Sequence, residues 1–174
     1  MSRNLGLELI ADSMSFFAAP DGDPLIALER AHDALLTLCD MLEQIADSIP
    51  TRICHDTCYR LGRDLLPLIR SIHQFEEDIL YPLAVQRLGA SKAIESTVIR
   101  LRYEHCEDEC FAEELSDALQ EVGSGKDLKN PEAMGYMLRG FFEVLRRHIA
   151  FERDHLLGLM RRAISDGNNG WAPA

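Results

Sequence analysis

Positive charge is scarce in this chain: 18 lysines and arginines face 29 aspartates and glutamates, a formal charge of −11 over 174 residues. The phosphate-neutralising surface of a nucleic-acid or anionic-membrane binder is therefore missing, and both partners are excluded. Apolar runs are short, none approaching the ~20 residues that span a bilayer. The opening MSRNLGLELIADSMSFFAAP lacks the basic stretch and long apolar core of a secretory leader. The five cysteines are an odd number, and Cys54/Cys58 and Cys106/Cys110 stand four apart inside helical patterns rather than in a disulfide framework. A soluble, unprocessed protein of the reducing cytoplasm is predicted, with these cysteines as small packing residues. No glycine-rich phosphate cradle and no G-x-S-x-G elbow occurs, so nucleotide and serine-hydrolase chemistry have no motif to stand on.

What the chain does have is helical period. Leu25, Leu28, His32, Leu35, Cys39, Leu42, Ala46 and Ile49 are spaced alternately by three and four, with Asp23 as cap, Pro24 in the first turn and Pro50 as the stop. A second run extends from about Thr51 to Leu88, its seam passing through Leu66, Ile69, His73, Glu77, Leu80 and Ala84, with kinks or breaks expected at Pro67 and Pro82. The third begins at Ser91, turns Ile94, Val98, Leu101, His105, Ala112, Leu115 and Leu119 inward, and fails at Gly123. After the loop GSGKDLKNP, the fourth carries Met134, Leu138, Phe141, Leu145, His148, Glu152, His155 and Leu159. Strand alternation is absent, so the predicted fold is all-α: an up-down-up-down four-helix bundle over residues 24–165. A short N-terminal arm over 1–23, apolar from Leu5 to Phe17, and a mobile tail over 166–174 flank it.

Residues on antiparallel neighbours share a layer when the midpoint of their numbers falls in the connecting turn. The midpoints of His32/His73, His73/His105 and His105/His148 are 52.5, 89 and 126.5, each at a turn already placed from glycine and proline. One histidine from each helix is thereby predicted at a common depth. Glu77, Glu109 and Glu152 each follow a histidine by four residues, one turn on along the same face. Asp108 competes with Glu109 for the inward position. Glu77 and Glu152 lie on one side of the histidine layer and Glu109 on the other, so carboxylates from opposite walls can bridge two ions.

The candidate metal ligands are thus His32, His73, Glu77, His105, Glu109, His148 and Glu152. Six or seven imidazole and carboxylate ligands suit two octahedral-leaning ions, iron ahead of manganese, whereas structural zinc favours a closed four-ligand, thiolate-rich site. A single histidine on an apolar face is ordinarily a hydrogen-bonded core residue. Four at one layer change that, and Glu77 and Glu152 on seam positions would, if buried unpaired, cost a metal-free core several kcal/mol. A ferritin-like site is an alternative, since Glu29-x-x-His32 and Glu152-x-x-His155 match its string, but it leaves His73, His105 and His148 at one depth without purpose. His155, about 10 Å beyond His148, reads as a supporting or core residue, and His55, about 27 Å from His73, lies outside the site.

His32, the run His73-Gln-Phe-Glu-Glu77-Asp-Ile-Leu-Tyr-Pro82, His105 and His148-Ile-Ala-Phe-Glu152 resemble the hemerythrin-like, HHE cation-binding family over roughly residues 24 to 165. The resemblance implies a non-haem di-iron centre, oxo- or hydroxo-bridged, with Glu77 and Glu152 bridging, His32 and His73 on an open iron, and His105 and His148 on the other. The chain departs from true hemerythrins in carrying Glu109 where a histidine follows the third-helix ligand, and in spacing Glu152 four rather than five after His148. Binding or sensing of O2, nitric oxide or peroxide is the expected function, in a dry cavity lined by residues such as Phe75, Phe111, Phe141 and Phe151. A sensor would act through a protein partner. A di-iron peroxidase or oxidase, iron storage or buffering, and a metal-free structural bundle are the alternatives.

Overall fold

The computed structural model describes residues 22–165; the expected tail, and the expected arm up to residue 21, lie outside them. Four rods follow one another, with no strand among the described residues. The first is α1, Pro24–Ser48. The second is α2, His55–Phe75, continued by a π-helical turn Glu76–Leu80 into α3, Tyr81–Leu88. The third is α4, Lys92–Gly123, and the fourth is α5, Pro131–Glu152, a second π-helical turn Arg153–Leu157 and α6, Gly158–Ser165.

The ends obey local chemistry. Asp23 accepts a hydrogen bond from the Leu25 amide at 2.9 Å, Ser91 from Ile94 at 3.3 Å and Asn130 from Ala133 at 3.0 Å, which satisfies donors that a helix start leaves free. Pro24 and Pro131 occupy first-turn positions where no amide is needed. Gly89, at φ 80°, closes the second rod in a backbone conformation that favours glycine. That rod starts at His55 rather than at Thr51, and α2 runs unbroken through Pro67; its irregularity falls instead in the turn just before Pro82.

α1 packs on α5, α2 on α4 and α4 on α5, while α3 and α6 meet at the end of the second and fourth rods. The expected seam of α1 is buried from Leu25 to Ala46, and that of α4 from Ile94 to Leu119. Gly62 marks a close approach of α2 to α4: a Cβ there would stand 2.8 Å from both the Gln120 amide nitrogen and the Ser116 carbonyl oxygen. Because backbone cannot swing aside as a side chain can, Gly62→Ala should lower unfolding stability by about 1–3 kcal/mol, read from urea melts.

Two expectations on the seams are corrected. His155 is exposed, its ring set against Phe151 at 4.4 Å, because the second π-helical turn rotates the chain so that Leu156 and Met160 take the inner positions. Cys106 and Cys110 are also exposed: Cys106 lies one residue, about 100° of helix rotation, past His105, and Cys110 lies two residues from both Asp108 and Ala112, on the opposite side of the helix.

Candidate metal centre

The four histidines predicted at one depth do meet. The His73 and His105 rings stack at 3.8 Å between centroids, and His148 lies 6.1 Å from the first and 5.2 Å from the second. His32 joins them through Glu152, its Nε2 standing 3.0 Å from Oε2. All four are at most 4% exposed.

The carboxylates divide differently from expectation. Glu152 is fully buried. On the second rod it is Glu76, 1% exposed, that turns inward, while the Glu77 side chain is 35% exposed at the rim. On α4 it is Asp108, 2% exposed, while the Glu109 side chain is 30% exposed. The reason on α4 is register: 101, 105, 108 and 112 continue the alternation of four and three, and 109 steps off it. On the second rod the π-helical turn decides. It hydrogen-bonds the Tyr81 amide to the Glu76 carbonyl, five residues apart, so Glu76 and Tyr81 share a face. Tyr81, a residue the sequence reading did not select, thereby enters the centre with its hydroxyl 2.9 Å from both His105 Nε2 and Glu152 Oε1.

Glu77 and Glu109 instead occupy an outer ring. His105 Nδ1 lies 2.8 Å from Glu77, His73 Nδ1 3.1 Å from Glu109, and His148 Nδ1 3.2 Å from Glu104. Each of these carboxylates is in turn paired with an arginine further out: Arg102, Arg70 and Arg100 respectively. A carboxylate beside Nδ1 fixes the ring proton there, so three imidazoles donate outward and present an Nε2 lone pair inward. His32 reverses the order. Its Nδ1 accepts from Arg153 Nε at 3.3 Å, Arg153 also binds Asp33, and the ring proton therefore sits on Nε2, donated to Glu152.

The interior consequently holds more acceptors than donors. His73 Nε2, His148 Nε2 and Glu76 Oε2 are buried without a hydrogen-bond partner, and the single Tyr81 proton faces two acceptors. Glu76 Oε2 and His105 Nε2 face each other at 3.2 Å without a hydrogen bond between them. Buried polar groups are ordinarily paired, and a surplus of acceptors that one proton on Glu76 cannot fill is what a cation satisfies. Among the described residues, Glu76, His105, His148 and Glu152 each offer one ligand atom, all four within 4.8 Å of one another.

Electrostatics follow from the same crowding. Burial, reinforced by His105 and His148, pushes His73 down to about 2, so it is neutral. Burial and then the Glu152 charge hold Glu76 well above the usual carboxyl range. Burial acts to raise Glu152 too, but the His32 hydrogen bond and the neighbouring His148 outweigh it, and its carboxyl lies below the ordinary value. Asp108 is pushed up to about 6 by burial, against the pull of His148 and His105. Burial, with Glu76 and Glu152 beside it, raises the Tyr81 phenol, which keeps its proton.

Compared with known families, the chain matches the hemerythrin HHE cation-binding domain over residues 23–160. No curated protein and no solved structure matches it. No helix among the described residues is long and apolar enough to cross a membrane.

Proposed function

From the premise that this chain belongs to the hemerythrin HHE cation-binding family, we propose that it holds two iron ions and binds O2, nitric oxide or peroxide at them. The observation that carries the reading is the inward surplus of lone pairs on His73, His105, His148, Glu76 and Glu152. Glu76 and Glu152 would be the buried carboxylates that hold the metal. Glu77, Glu109 and Glu104 hold the rings from outside. His32 would join the ligand set only in its other tautomer, with the ring proton on Nδ1 and Arg153 turned from that nitrogen to Asp33 alone; Nε2 and Glu152 Oε2 would then both be free. Bound iron supplies redox chemistry and a coordination position for a small ligand. The cluster is buried, its four histidines at most 4% exposed, which favours a small ligand and a binding or sensing role.

Loading the metal-free protein anaerobically with ferrous iron should give close to two ions per chain by elemental analysis. His73→Ala and His148→Ala should each lose most of that iron while remaining helical by circular dichroism. Visible spectra after addition of O2, nitric oxide and peroxide identify the ligand. A wild-type content near zero overturns the reading, and a content of one reduces it to a single-ion site.

A further inference from the structure

A surface cavity of about 290 Å³ opens between α4 and α5, immediately outside His148. Glu104, Glu107 and Asp108 line it from α4, and Val144, Arg147 and His148 from α5, with Arg100 beside them. Arg100 is engaged elsewhere, hydrogen-bonded to Glu104 at 2.7 Å with its guanidinium 4.2 Å over the Phe151 ring. Arg147 and Glu107 are exposed at the rim. At the floor, Asp108 is 98% buried, yet its Oδ2 has no hydrogen-bond partner; the nearest cationic or imidazole group is His148 Nδ1 at 3.8 Å, already held by Glu104.

A buried carboxylate oxygen with no donor is a costly feature to keep in a core, since its lost hydration is not replaced. It is a poor receptor for an anion and a good one for a hard divalent cation, which prefers oxygen ligands and tolerates an incomplete, hydrated shell. Asp108 stands three residues from His105 on α4 and borders His148, so a cation on Oδ2 is separated from the inner cluster by one imidazole ring. On this basis, and resting on the metal-binding reading above, we propose that the cavity is the port through which divalent metal reaches the centre. Asp108 is its transit ligand, Glu107 an outer collector, and neither belongs to the final ligand set.

The probe is cobalt(II) added alone to the metal-free full-length chain, with uptake followed by stopped-flow visible absorption and final content by elemental analysis. Asp108→Asn and Val144→Phe, which fills the cavity, should each slow uptake by about tenfold or more and reach the wild-type content and spectrum. Glu107→Gln, at the exposed rim, should slow it less. Wild-type rates in Asp108→Asn or in Val144→Phe overturn the port. An Asp108→Asn protein that loads at the normal rate but ends short of metal, or with an altered spectrum, also overturns it and makes Asp108 a permanent ligand. A wild type that takes up no cobalt and no iron removes the metal-binding reading and the port together, whereas failure of the port alone leaves wild-type loading intact.

Discussion

Replacing Glu76 with glutamine is expected to raise the melting temperature of the metal-free protein and to lower that of the iron-loaded protein. Glu76 is buried beside Glu152, and both conditions favour its acid form. Its folded-state pKa therefore lies above the unfolded value of 4.5. Between those two values the folded chain binds more proton than the unfolded chain, so stability falls as pH rises, at up to about 1.4 kcal/mol per pH unit. The neighbours do not obscure this above neutrality. His73, lowered to about 2 from 6.5, costs stability only as pH falls below 6.5, and Asp108, raised to about 6, is mostly ionised by pH 7 and adds little to the slope above it. Glutamine has no such proton to lose, so metal-free Glu76→Gln should be the more stable protein at pH 7 and hold its advantage to pH 9. With iron the order reverses, because the metal displaces the proton and stabilises only the chain that offers a carboxylate. Thermal melts of both proteins, metal-free and loaded, across that pH range decide it. Equal destabilisation in both states would make Glu76 a packing residue.

The bundle and the depth of its histidines were legible because both rest on spacing. Seams of alternating three and four identify the inward face, and turns marked by Gly89, Pro50 and Gly123 set the height at which each histidine arrives. The carboxylates were less legible for two separate reasons. On α4 the period already favoured Asp108, since the seven-residue step from His105 to Ala112 is completed at 108; the i,i+4 pairing of His105 with Glu109 drew attention to the outer residue instead. On the second rod both Glu76 and Glu77 are compatible with a helical period, one three and one four residues after His73. Only the π-helical turn separates them, and it also brings in Tyr81 and, in the fourth rod, turns His155 out. Such a turn adds about one residue to a single helical circuit and leaves no composition signal of its own. Arg153 and the arginines beyond Glu77 and Glu109 were invisible for another reason: their partners come from different rods, far apart in sequence.

Glu152→Gln should empty the centre of iron, whereas Glu77→Gln should weaken binding by about 10–100-fold and keep the same stoichiometry. The two residues differ in which atoms they address. Within the centre Glu77 meets the outer nitrogen of His105, so a glutamine in its place still accepts from Nδ1 and the inward lone pair survives with less basicity. Glu152 is the hub of the interior, accepting from His32 Nε2 at 3.0 Å and from Tyr81 at 2.9 Å while lying 3.7 Å from His148 Nε2. A glutamine there can still accept the His32 proton, so the bundle should fold. Its amide hydrogens, however, would face the Tyr81 oxygen and turn the phenol proton toward His105 Nε2, also 2.9 Å away. That substitution removes one anionic ligand and caps a second lone pair at the same time, which is why its effect should exceed the loss of one charge. Glu152→Gln/Tyr81→Phe separates the two contributions: with the phenol proton gone, His105 is free again, and partial iron content should return. Iron content of the two single variants and the double variant, measured after gel filtration, tests the scheme. A double variant as empty as Glu152→Gln assigns the whole effect to the missing carboxylate, and a Glu77→Gln protein as empty as either would move Glu77 from the outer ring into contact with the metal.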